Sequence, residues 1–105
     1  METVDAKGLS ERLKSGEKMV LLDVREQEEL TGELGHIANI VHIPMQQLPM
    51  RVSELNDKDA PVVMVCKSGG RATRCGQFLE SNGFKKVILL EGGMIAWNDA
   101  GLPTA

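Results

Sequence analysis

Cys66 is followed by Lys67-Ser68-Gly69-Gly70-Arg71-Ala72, which sets a nucleophile beside groups that stabilise negative charge. Two adjacent glycines carry no Cβ, so the backbone there can curl tightly and turn successive N–H groups inward. A helix beginning near Gly70 adds its own free N–H groups and the positive end of its dipole. Lys67 and Arg71 supply two cations. Such surroundings favour the thiolate, the form of cysteine that attacks electrophiles. The same cradle binds an anionic group and stabilises charge as it develops. The competing reading of Cys66 is a core thiol at a strand end, because free cysteine is among the most buried residue types. The glycines and flanking cations favour the functional reading. Cys75 reads the other way: it shares a helical face with Ala72 and Leu79, which favours core packing over a resolving-thiol role.

Other chemistry is poorly supported. The two cysteines have no CxxC spacing, and His36 and His42 lie well upstream of them. A zinc site needs about four ligands, so no metal is expected, and two cysteines make no disulfide framework. Neither Gly69-Gly70 nor Gly92-Gly93 completes a phosphate-cradling glycine motif, so no nucleotide or other cofactor is implied. Glu26, Glu28 and Glu29 read as a solvated helix face or as partners of the helix dipole, not as a catalytic carboxylate pair. Lys85-Lys86 reads as a surface turn.

The elements that must position Cys66 alternate between dense apolar runs and helix-period segments. Asp5 can cap a helix with Leu9 and Leu13 on one face, and Gly16 stands where a terminating glycine belongs. Met19 to Leu22 is a buried strand running into Asp23-Val24-Arg25, and Gln27 to Leu30 makes one helical turn. A short strand falls within Ile37 to Ile43 and stops at Pro44. Pro49 suits the first turn of a helix that points Val52 and Leu55 inward, and Asn56 to Asp59 is a polar turn. Pro61 to Val65 is a second buried strand with Cys66 at its carboxyl end, and the helix after the glycines ends at Asn82-Gly83. Val87 to Leu90 is a third, followed by Gly92-Gly93 and a short helix holding Ala96 and Trp97. Strands alternating with helices imply an α/β fold, a mostly parallel sheet covered on both faces. In such sheets ligands collect beyond the carboxyl ends of the strands, where Cys66 lies.

The 105 residues are expected to form one domain, residues 1–105, and 42% apolar residues supply its core. Twelve Lys and Arg against 15 Asp and Glu give a net charge of -3, the wrong sign for neutralising nucleic-acid phosphates. Three aromatics, none of them Tyr, leave no platform for stacking bases. The longest apolar runs fall far short of the ~20 residues of a membrane span. Met1 to Asp5 shows no basic stretch leading into an apolar core, so a cytoplasmic protein is expected.

Five segments occur in an order that resembles the rhodanese (sulfurtransferase) family. They are Asp23-Val24-Arg25-Glu26, Gly35-His36-Ile37, Ile43-Pro44, Cys66-Lys67-Ser68-Gly69-Gly70-Arg71, and Glu91-Gly92-Gly93 with Trp97. Each is weak alone; five in register around a cysteine loop are specific. The resemblance implies a three-layer α/β/α fold with a mostly parallel sheet of about five strands. It implies that Cys66 takes a sulfane sulfur and becomes a persulfide. Lys67 through Ala72 correspond to the loop whose amides surround that sulfur, and Arg71 to the cation that binds the donor or acceptor anion. Asp23, Arg25 and His36 correspond to a scaffold, and Gly92, Gly93 and Trp97 to turn and core elements near the loop. The implied donors are thiosulfate, polysulfide or a small persulfide, and the implied acceptors are cyanide or thiols, among them a protein thiol. The rival readings are a persulfide carrier or docking module for a larger sulfur-handling protein, and a cysteine phosphatase or arsenate reductase. The last pair uses a C-x5-R loop, whereas four residues separate Cys66 from Arg71.

Overall fold

The computed structural model describes all 105 residues. Five parallel strands, β1 (Glu2–Val4), β2 (Val20–Asp23), β3 (Val41–His42), β4 (Val62–Val65) and β5 (Val87–Leu90), line up in the order β1-β5-β4-β2-β3. Every strand pair is parallel, so each return passes through a crossover, and the helices of those crossovers cover the sheet. α1 (Ala6–Lys14) and α5 (Gly93–Asp99) cover one face, where Leu9, Met94 and Trp97 meet Leu21, Val63, Val65, Ile88 and Leu90. α3 (Leu48–Arg51) and α4 (Gly70–Ser81) cover the other, where Leu48, Ala72, Cys75 and Leu79 meet Leu22, Val62, Met64 and Val87. Neighbouring residues of β2, β4 and β5 therefore serve opposite cores, as the two-residue period of a strand requires. This is the three-layer α/β fold the sequence led us to expect. No helix is long and apolar enough to cross a membrane.

The Asp5 cap forms as expected, its carboxylate accepting from the Gly8 amide at 2.7 Å. Two elements differ from expectation. β1 was not foreseen, because it is three residues long and pairs on one side only, with β5. Its Glu2 and Thr3 are exposed, so it carries no apolar run to read. The helix expected from Pro49 is split into a 3₁₀ turn (Met45–Gln47), the one-turn α3, and a second 3₁₀ turn (Val52–Glu54). Pro49 has no amide to reach back to Met45, whose carbonyl instead accepts from Leu48 in a tighter turn. Leu55 is still delivered to the core.

Candidate active site

All four residues of β4 are buried, and the strand ends by delivering Cys66 to the sheet's carboxyl edge. Cys66 is 1% exposed, its residue packed against the α4-side core. Its sulfur nevertheless faces amides. The Gly69 N–H donates to Sγ at 3.0 Å and the Ala72 N–H at 3.4 Å. Gly69 reaches this position with φ +121°, which is closed to residues with a side chain. The amides of Lys67, Ser68, Gly70 and Arg71 find no acceptor within the protein. Lys67, Ser68 and Gly70 are exposed, and Gly69 and Ala72 are buried under the sulfur.

The direction of these amides is set from outside the loop. The carbonyl of Cys66 accepts from the Met94 amide at 2.8 Å, and that of Lys67 from the Ile95 amide at 3.1 Å. In a trans peptide the C=O and N–H of one plane point oppositely. Anchoring these two carbonyls on the first turn of α5 therefore turns the Lys67 and Ser68 N–H groups the other way. The close approach needs Gly93, where a Cβ would lie 2.7 Å from the carbonyl carbon and oxygen of Lys67 and closer still to the Cys66 oxygen. Gly93 and Gly92 also hold positive φ, +55° and +72°. Gly93 is thus a structural part of the loop and not merely a turn beside it.

Arg71 is half-buried and paired. Its Nη1 and Nη2 each donate to a carboxylate oxygen of Glu29 at 2.8 Å. Glu29 also caps its own helical turn, α2 (Gln27–Leu30), by accepting from the Glu26 amide at 2.8 Å. The Arg71 hydrogen bonds, against the opposing cost of burial, hold the Glu29 carboxyl down at about 2. The acidic cluster therefore divides. Glu26 and Glu28 are exposed as a solvated face, but Glu29 is half-buried and pairs with the catalytic-loop candidate Arg71. Nothing in the sequence couples residues 42 positions apart. The one local sign was the three-residue spacing of Glu26 and Glu29, a capping-box interval.

α2 is itself held from below. Asp23 and Arg25 are wholly buried and paired, with Nε to Oδ1 at 3.0 Å and Nη2 to Oδ2 at 2.8 Å. The remaining Arg25 donors reach the carbonyls of Glu29 at 3.2 Å and Gly35 at 2.8 Å. His42 donates from Nε2 to the Arg25 carbonyl at 2.6 Å, and His36 from Nδ1 to that of Leu30 at 2.9 Å. These residues brace the loop's neighbour, in keeping with a scaffold role.

A cleft of about 310 Å³ lies beside the loop, lined by Arg25, Glu29, Gly32, Glu33, Leu34, Lys67 and Ile95. Lys67 and Glu33 stand in it exposed and without ion-pair partners. Cys75 is buried among Ala72, Leu79 and their core neighbours. Burial and then the charge of Cys66 push its thiol up to about 11, so it stays protonated at neutral pH.

Because Glu29 is held at about 2 when folded and near 4.5 when unfolded, its pairing stabilises the fold above 4.5. That contribution is lost as pH falls from 4.5 toward 2, since the unfolded chain then takes up a proton the folded one refuses. Glu29→Gln should remove it. The variant's melting temperature should fall less steeply than the wild type's over this acid range, and identical slopes in both proteins would contradict the assignment.

The sequence model of the Rhodanese-like domain matches residues 5–100. A sulfurtransferase of Allochromatium vinosum is 38% identical over 95% of this chain and 91% of its own length. The crystal structure of a rhodanese-like domain protein from Staphylococcus aureus has a TM-score of 0.86 at 31% identity, covering 100% of this chain and 99% of that one. A Rhodopseudomonas palustris protein of unknown function, named a possible tyrosine phosphatase, has a TM-score of 0.91 at 25% identity, covering 100% and 85%. Likeness in sequence and in fold thus runs together over almost all of these residues, and the chain belongs to the rhodanese-like domain family.

Proposed function

We propose that this protein is a sulfurtransferase that carries a sulfane sulfur on Cys66. The observation that supports it most directly is the pair of amide donors on Cys66 Sγ, with four more loop amides left free around it. Such a ring suits a persulfide, whose outer sulfur needs charge stabilisation but little room. In the first step the Cys66 thiolate attacks the outer sulfur of a donor such as thiosulfate, a polysulfide or a small persulfide. A new S–S bond forms, the donor's own bond to that sulfur breaks, and the remainder leaves with the electron pair. In the second step an acceptor thiolate, or cyanide in the assay, attacks the outer sulfur and returns Cys66 as thiolate. One difficult transfer becomes two easier ones, which gives ping-pong kinetics. The Lys67, Ser68, Gly70 and Arg71 amides hold the outer sulfur, and the Lys67 side chain holds anionic groups in the cleft.

The phosphatase reading is less well supported. Four residues between Cys66 and Arg71, against five in a C-x5-R loop, make a smaller ring, and the Arg71 guanidinium is already occupied by Glu29. Turnover of an aryl phosphate at a rate comparable to sulfur transfer would reverse this preference.

Intact-mass spectrometry after exposure to thiosulfate, polysulfide and an alkyl persulfide tests the reading. The wild type and Cys75→Ala should each gain one sulfur from at least one donor, and Cys66→Ser none. A Cys66→Ser protein that keeps normal thiosulfate:cyanide activity would overturn the proposal.

A further inference from the structure

The largest cavity of the protein, about 420 Å³, lies under α1 and α5, on the face of the sheet opposite the core that holds Cys66. Leu13, Met19, Ile37 and Trp97 make its apolar wall. Met19 directly precedes β2 and Ile37 lies ahead of β3, so the cavity sits at the amino ends of these strands, whereas Cys66 stands at the carboxyl edge. Residues 103–105 close one side and are tied down. The Trp97 Nε1 donates to the Pro103 carbonyl at 2.9 Å, and the Ala105 amide to the His36 carbonyl at 2.8 Å. The space is therefore formed before any ligand arrives, and its size suits a small molecule, for which sites of roughly 300–1,000 Å³ are usual.

Two polar groups of α1 give the cavity a chemical preference. Ser10 is 6% exposed, and its hydroxyl makes no hydrogen bond within the protein, unlike those of Ser15, Thr73 and Ser81, which bond back to helical carbonyls. No polar side-chain atom is both sealed in and unpaired, so the Ser10 hydroxyl opens onto the cavity that it lines. Lys14 stands exposed at the rim without an ion-pair partner, and it is the only charged side chain of the lining. Four residues separate it from Ser10, one turn along the same helical face, so a single group can meet both. The carbonyls at this end of α1 would repel an anion, but those of Glu11, Arg12 and Leu13 already accept from Ser15, Glu17 and Gly16.

We propose that this cavity is a second ligand site, one that takes a small amphipathic monocarboxylate. The hydrocarbon body lies against the wall that ends at Trp97, and the carboxylate accepts from the Ser10 hydroxyl and faces the Lys14 ammonium. A cation would meet Lys14 and no acid, and a sugar or free phosphate would leave the apolar wall unused. The cavity shares no residue with the cleft beside the cysteine loop, so the proposal holds whether or not Cys66 carries sulfur.

Octanoate, kept below its micelle-forming concentration, is the probe, and Trp97 is the reporter, because it is the only Trp of the chain and lines the cavity. On the full chain octanoate should change the Trp97 fluorescence saturably and raise the melting temperature with the same dissociation constant. Ser10→Ala should weaken octanoate binding about tenfold, the scale of one hydrogen bond to a charged group. The variant keeps the fold, since the hydroxyl it removes has no protein partner and alanine is the better helix former. Lys14→Glu should also weaken octanoate about tenfold, yet leave 1-octanol within about twofold, because only the carboxylate has a charge to repel. Neither signal at millimolar octanoate would overturn the proposal. Undiminished affinity in both variants would put the ligand elsewhere and overturn it as well. Parallel losses of octanoate and octanol in Lys14→Glu would show a change of shape, and the preference for a carboxylate would fall.

Discussion

A Gly93→Ala protein should load sulfur onto Cys66 about 10²-fold more slowly than the wild type, the penalty expected for a displacement on the order of 1 Å at a reacting centre. Gly93 touches no substrate. Its effect passes through the two carbonyls of Cys66 and Lys67, which are anchored on the amides of Met94 and Ile95. The new Cβ would run into both carbonyls, and backbone, unlike a flexible side-chain end, cannot yield without moving the loop. As the Cys66–Lys67 and Lys67–Ser68 planes rotate, their N–H groups lose their aim at the space beside the sulfur. Alanine at φ +55° adds about 1–2 kcal/mol of backbone strain. The two costs separate in experiment. Loading kinetics report the loop and denaturant unfolding the strain, so near-normal loading in a destabilised protein would show that α5 does not orient these amides.

Asp23→Ala should cost about 3–5 kcal/mol of stability, because it leaves the Arg25 guanidinium buried and uncompensated. Asp23 and Arg25 are among the few charged groups with essentially no exposure, and three of the five hydrogen bonds made by the Arg25 guanidinium go to that carboxylate. A loss of this size is a large part of the 5–15 kcal/mol that holds a typical domain together. It also reaches the cysteine loop, since Arg25 fixes the Glu29 and Gly35 carbonyls and through them the turn that carries the Arg71 partner. Equilibrium urea unfolding measures it. A change below about 1 kcal/mol, the scale of an exposed pair, would mean that water reaches the guanidinium and that the pair is not dry. Replacing both residues by apolar ones should recover much of the loss, since a buried pair is often matched by well-packed hydrocarbon.

What the chain determined by itself lies in its local patterns. Short apolar runs at β2, β4 and β5 can be satisfied only by burial on both faces, and alternation with helix-period segments makes the sheet parallel. Cys66 ahead of Gly69-Gly70 announces a curled loop on a helix start, because the absence of Cβ is a property of the residues themselves. Cys75 declares its core position by its spacing from Ala72 and Leu79. Three things were decided only by the tertiary structure. The first is the loop's orientation, which depends on α5 arriving from 28 residues further along to claim the carbonyls of Cys66 and Lys67. The second is β1, which has no pattern of its own and exists because β5 offers it an edge. The third is the state of Arg71: in the sequence a free loop cation, in the fold one half of a pair with Glu29. All three are contacts between residues far apart in the chain, and local periodicity carries no record of which distant partner a side chain or peptide plane will meet.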